Sequence, residues 1–263
     1  MNKYNLYAFL MAAALLTGCK KYLDKEPDNR TQITSPEQIS ELLTSAYPRG
    51  NYILFCESMS DNAEDKNGGG TGFDFIDRVN RQAYRYEVIE ATPDDLDSPD
   101  FYWNSVYKAI AAANLALEII DNSPNKGQLT AQRGEALLAR AYGHFMLVTL
   151  FAKAYDPATA GTDPGVPYVT APEKVVLAKY ERNTVANVYD MIEKDLKEGY
   201  PLIDEKIYGV APKFHFNKQA AAAFATRFYM FKRNYSTVIS YASQALTGTT
   251  ADNLRPWNTT LQN

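Results

Sequence analysis

Two cysteines and two histidines are all that 263 residues supply of the usual soft metal ligands. Cys19 and Cys56 form no CxxC pair and allow at most one bridge, so a disulfide framework and a cysteine zinc site are both excluded. No GxSxG elbow, HExxH pair or GxxxxGK loop occurs, which removes the common signatures of hydrolases, metalloproteases and nucleotide-binding proteins. No catalytic residue and no cofactor is therefore expected. Basic clusters are missing too: 27 Lys and Arg stand against 31 Asp and Glu, a net charge of -4 that argues against a nucleic-acid partner. Long apolar runs are also scarce. The one at the start, Leu6 to Leu16, has about eleven residues where a membrane span needs ~20.

That run has a different meaning. Lys3 precedes it and "LLTGC" closes it at residues 15–19, the layout of a secretory signal with a short apolar centre. The stretch Leu16-Thr17-Gly18-Cys19 looks like a bacterial lipobox, with a branched residue, two small ones and then the thiol that carries the lipid. Residues 1–18 are read as a lipoprotein signal peptide, Cys19 as the lipidated N-terminus, and the polar residues 19–34 as a tether. Loss of Lys3 takes the charge to -5 and leaves Cys56 alone.

With 46% hydrophobic and 22% charged residues, the remainder suits a globular chain. Its periodicity is helical. Ser35, Pro36 and Gln38 form a capping-box start to a short helix with Ile39, Leu42, Leu43 and Ala46 on one face. Residues Asn51 to Asp100 lose the period and read as a long surface loop. A helix then begins at Ser98-Pro99, and its stripe runs through Trp103, Val106, Ile110, Ala113, Leu117 and Ile120. The next spans about Ala131 to Ala152, with Gly134, Leu137, Ala141, Phe145, Val148 and Phe151 inward. After a Pro- and Gly-rich stretch come helices from Thr184, from Asn217 to Lys232 and from Tyr235 to Leu246. Tyr229, Tyr235 and Ala245 fall on tetratricopeptide positions, while Ala222 and Thr226 replace its Trp and Gly. Hairpins at Ser98–Ala152, Asn183–Lys232 and Asn217–Leu246 predict a mostly α fold of tetratricopeptide-like units with long inserted loops.

Nineteen tyrosines and twelve phenylalanines are the surplus of this composition, and packing accounts for most of them. The stretch from Phe73 to Trp103 is different, because Phe73, Tyr84, Tyr86 and Trp103 alternate there with Arg and Asp. Sugar rings stack on aromatic faces while carboxylates, amides and Arg bond their hydroxyls, so these four are the candidate ligand-binding residues. Trp103 also fits the core stripe of its helix. Asp61, Glu64 and Asp65 offer carboxylates to a cation such as Ca²⁺, but no EF-hand spacing is met and a solvated loop is the default. His144 lies at the edge of an apolar stripe and reads as a packed imidazole, and nothing near His215 completes a metal set.

Four stretches in order, "GCKKYLDKEP", "YWNSVYKAIAAANLALEII", "GEALLARAYGHFMLVTLFAKAYD" and "GVPYVTAPEKVV...RNTVANVYDMIEKDLKEGYPLI", resemble the SusD/RagB family of outer-membrane nutrient-binding lipoproteins. "FNKQAAAAFATRFYMFKRNYSTVISYASQAL" is similar to the helix pair that follows in that family. "FAKAYD" departs from it, replacing a glycine-containing turn. The resemblance implies an α-α superhelical fold and binding in place of catalysis. It also implies lipid anchoring on the outer face of the outer membrane of Bacteroidota, and delivery of glycans or other nutrients to a SusC-like TonB-dependent transporter. Family members commonly run to about twice this length, so residues 35–263 are expected to form the N-terminal helical domain without its C-terminal half. The helical repeats alone would also suit a tetratricopeptide-type lipoprotein scaffold for protein partners. Long loops favour the nutrient-binding reading, because a plain scaffold joins its helices by short turns.

Overall fold

The computed structural model describes residues 33, 35–65, 70, 72, 74–92, 94–175, 178–209, 214–246 and 248, with the backbone alone at 74 and 75. All of these but Ile33 belong to a compact unit spanning Thr34–Asn263. The signal, Cys19 and the tether apart from Ile33, and also Phe73, lie outside the described residues.

Among the described residues the elements are α1 (Pro36–Leu43), α2 (Ile53–Ser58), α3 (Asp74–Tyr84), α4 (Pro99–Asn122), α5 (Thr130–Phe151), α6 (Val185–Gly199), α7 (Lys218–Phe231) and α8 (Tyr235–Ala245), with short 3₁₀ turns between some of them. They contain no β-strand, and a single antiparallel bridge pairs Pro164 with Thr184. Helices α1, α4, α6 and α7 each start where a side chain satisfies an orphan backbone N–H, whereas α5 starts at Leu129 without a side-chain cap. Ser35 accepts from the Gln38 N–H (3.2 Å) while the Gln38 side chain accepts from the Ser35 N–H (3.1 Å), completing the capping box. Ser98, Thr184 and Asn217 cap α4, α6 and α7 in the same way. Arg233, with φ +59°, makes the turn from α7 to α8.

Helix α5 is the centre of the unit. It packs along α4 on one side and α6 on the other, with α1 across both α4 and α5. Sixteen of its residues are buried, so it is enclosed on nearly every side, and its polar residues Gln132, Glu135, Arg140 and His144 are buried with the rest. Val106, Ile110, Ala113 and Ile120 of α4, and Val185, Val188, Ile192 and Leu196 of α6, close on it with almost no exposed surface. Small residues let the backbones approach. Helix α7 pairs with α8, and Tyr229 stacks on Tyr241 with ring centroids 5.6 Å apart. Of the tetratricopeptide positions, Tyr229 and Ala245 are buried, whereas Tyr235 is exposed.

Two features differ from the sequence reading. The expected loop from Asn51 to Asp100 contains α2 and α3. Helix α2 has only six residues and no side-chain cap. In α3 the buried residues among its described side chains are Val79 and Ala83, four apart, on a helix that is otherwise mostly polar and follows the Asp-, Asn- and Gly-rich run that reads as loop. The expected hairpin Asn183–Lys232 does not form by close helix packing. Instead α6 lies along α5 and meets α7 through long side chains. Tyr189 stacks on Phe228 (5.6 Å), the Tyr229 hydroxyl donates to Glu193 (3.2 Å), and Lys232 pairs with Asp190 (3.3 Å) and Glu193.

Candidate functional site

The segment from Pro167 to Lys174 leaves the Pro/Gly-rich stretch and crosses α4, α5 and α6. Pro167 and Pro172 bar helix there and favour extended backbone, in which successive side chains point to opposite sides. The alternation is visible in what each side lines. Pro167, Val169 and Glu173 line one groove, Thr170, Pro172 and Lys174 line another, and Ala171 borders both. The segment is thus a partition wall.

A buried polar network fixes the wall. Arg140 of α5 grips Asp195 of α6 through Nε (2.6 Å) and Nη2 (2.8 Å), a bidentate pair. Its Nη1 donates to Asn114 Oδ1 (3.0 Å) and to the Thr170 carbonyl (3.2 Å). Asn114 in turn donates to the Val169 carbonyl (3.0 Å), Tyr107 to the Pro167 carbonyl (2.9 Å) and Tyr168 to Asp195 (2.6 Å). His144 Nε2 accepts the Val169 N–H (3.0 Å), which leaves Nδ1 as the donor to the Arg140 carbonyl (2.9 Å). The imidazole stacks on Tyr168 at 3.8 Å. Burial, aided by the Arg140 charge and opposed by the bond to its carbonyl, pushes the His144 value down to about 3. Burial and the Asp195 carboxylate push the Tyr168 phenol well above its ordinary range. For Arg140 burial works against the charge, but the bonds and charge of Asp195 outweigh it and raise the value. The network is therefore two fixed charges and a neutral ring.

One side of the wall bounds an aromatic cleft of about 450 Å³, within the ~300–1,000 Å³ of small-ligand sites. Trp103, Asn104 and Tyr107 enter it from α4, Glu173 from the wall, and Tyr180 from beyond it. Trp103 is half-buried and braced by Tyr107 and Phe151, each with its ring centroid 5.0 Å away. The Asn104 amide N–H donates to the Asp100 carbonyl (2.8 Å), leaving its oxygen as an acceptor. The arrangement offers flat apolar faces edged by an amide, a carboxylate and phenol groups, the combination that a pyranose ring and its hydroxyls require.

The other side bounds a groove of about 720 Å³ that carries Glu118, Asp121, Arg133, Arg140, Lys174, Lys194, Asp195 and Glu198. Most of these charges are matched locally: Arg133 with Asp121, Lys174 with Glu118, Arg140 with Asp195.

Of the three described residues among the four expected to bind ligand, Trp103 alone lines the cleft. Tyr84 ends α3, 39% exposed. Tyr86 follows in the left-handed region (φ +54°), its ring 72% exposed and its hydroxyl donating to the Met59 carbonyl. The acidic residues Asp61 and Glu64 are exposed, and no group of three His, Cys, Asp or Glu among the described residues is placed to hold a metal ion. His215 is bonded to buried Glu135 (2.7 Å), which also accepts from Tyr47 and Tyr208 (2.6 Å each). Tyr107 was legible beforehand, one helical turn after Trp103 on the same face. Glu173 and Tyr180 carry no local signal, because only the tertiary path of the wall brings them to α4.

Residues 21–230 match a family model of SusD-like proteins, described as starch-binding and associating with the outer membrane. The chain belongs to the SusD-like family. Solved structures agree at the level of fold. A SusD superfamily protein from Bacteroides vulgatus is 20% identical, with a TM-score of 0.64 over 86% of this chain and 50% of its own. One from Bacteroides thetaiotaomicron is 21% identical, with a TM-score of 0.62 over 82% and 46%. A laminarin-binding SusD-like protein is 19% identical, with a TM-score of 0.57 over 80% and 42%. This SusD-like chain thus spans about half the length of the solved structures it matches. Among curated proteins none matches it.

Proposed function

We propose that this chain is the helical part of a surface lipoprotein that captures glycans at the outer membrane and passes them to a SusC-like TonB-dependent transporter. Membership of a family described as starch-binding and outer-membrane-associated carries the reading. The aromatic cleft supports it independently, since it supplies stacking faces and hydrogen-bonding groups. In this reading residues 1–18 are a signal peptide, Cys19 carries the lipid, and residues 19–34 are the tether. Residues 35–263 are the N-terminal helical domain, whose relatives continue for a comparable length. Trp103 is the aromatic of the cleft that contacts the ligand, and Phe73, Tyr84 and Tyr86 are further candidate contacts.

Two measurements on the intact protein test this. Isolation of the protein from its native membrane should bring a TonB-dependent transporter with it. Calorimetry against a panel of oligosaccharides should find a ligand whose binding falls at least about tenfold in Trp103→Ala, as loss of an anchoring aromatic does. Binding that survives the substitution unchanged would move the site away from the cleft, and absence of any transporter would count against the delivery role.

A further inference from the structure

We propose that the aromatic cleft admits an uncharged glycan segment and that Glu173 excludes sugars bearing carboxylate or sulfate. The inference rests on the glycan reading above and concerns which class of glycan the cleft accepts. Among the described residues, Glu173 is the one carboxylate side chain that lines the cleft, beside the Asn104 amide and the phenols of Tyr107 and Tyr180. No Lys or Arg is among the described residues that line the cleft. Lys174, next in sequence, falls on the opposite face of the wall and pairs with Glu118 across the other groove. Arg182, whose charge is felt at the Tyr107 hydroxyl, does not line the cleft and donates its Nε–H to the Gly165 carbonyl (2.8 Å).

Glu173 is exposed and makes one hydrogen bond among the described residues. One carboxylate oxygen accepts the Ala178 N–H (3.3 Å), which leaves the other to receive a bond. A sugar hydroxyl can donate to that oxygen. An anionic substituent has no proton to give and meets a like charge, an arrangement that selects against wrong partners. The wall's alternation is what makes the discrimination local, because it delivers a lone carboxylate to the aromatic side and the compensating lysine to the other.

The test uses matched pairs: soluble amylose, laminarin and galactomannan, each with a counterpart oxidised at C6 to the uronate, measured by calorimetry on the intact protein at low salt. For whichever backbone binds, the oxidised counterpart should bind at least about tenfold more weakly, and added salt should narrow the gap. Glu173→Gln keeps the oxygen that accepts from Ala178 and removes the charge, and it should bring the pair to within about threefold. Glu198→Gln removes the same charge from the other groove and should leave the ratio at its wild-type value. Equal affinity for both members of a pair, or a ratio that Glu173→Gln does not move, overturns the exclusion while the glycan reading stands. Failure of every neutral and oxidised polymer to bind overturns both.

Discussion

Burial without a facing carboxylate keeps the His144 ring neutral. Its Nε2 must stay unprotonated to take the Val169 N–H, and a charged ring would lie against the Arg140 guanidinium that the same network needs. The value falls from the ordinary 6.5 to about 3. The sign follows directly. Between those two pH values the unfolded chain takes up a proton that the folded chain refuses, so stability is complete above 6.5 and declines as pH falls, by about 1.4 kcal/mol per pH unit from this ring. Denaturant titrations from pH 7 to pH 4 should reveal that uptake, and His144→Gln, which retains an acceptor for Val169, should lower it by about one proton. Uptake identical in the two proteins would mean that the ring is already charged in the fold. The sequence placed His144 correctly as a packed imidazole because its helix stripe is local. Its partner Val169 was hidden, lying across the loop that separates α5 from α6.

At the scale of elements, a pair of glycines decides how closely α5 and α6 can pack. A Cβ on Gly134 would stand 2.8 Å from the Leu202 Cβ and 2.9 Å from the Gly199 carbonyl oxygen, and one on Gly199 would stand 2.9 Å from the Gly134 carbonyl oxygen. Because backbone or a first side-chain atom opposes each position, no rotamer change relieves the contact. Overpacking of this kind costs about 1–3 kcal/mol, and the ~1 kcal/mol that Ala gains over Gly within a helix offsets only part of it. Gly134→Ala should therefore lower the urea midpoint with an unchanged slope. A raised midpoint would mean that the two helices can separate without loss. The long helices were legible because Ser35, Ser98, Thr184 and Asn217 announce their starts and their stripes repeat over several turns. Helices α2 and α3 were not, since one is too short and the other is mostly polar and follows an Asp-, Asn- and Gly-rich run. The cleft was half legible for a related reason: Trp103 and Tyr107 share a helix face, but Glu173 reaches them only through a wall whose course is set by Asn114, Arg140 and His144.

For the whole molecule the open matter is what holds it at a membrane. No helix among the described residues is long and apolar enough to cross one, yet the family is described as associating with the outer membrane. Cys19 is the proposed answer. One acyl chain gives only marginal binding, whereas several chains on one cysteine anchor stably. Residues 19–34, if extended, reach about 50 Å, enough to let the helical unit move over a transporter while it stays attached. Cys19→Ala should leave thermal stability unchanged, because the lipid contributes nothing to the packing of α4, α5 and α6, and should shift the protein from the membrane fraction to the soluble one. The experiment belongs in cells lacking the partner transporter, where retention through that partner is removed. Continued sedimentation with washed outer membranes there would mean that the helical unit itself, or its remaining half, binds the membrane, and that the thiol is not the anchor.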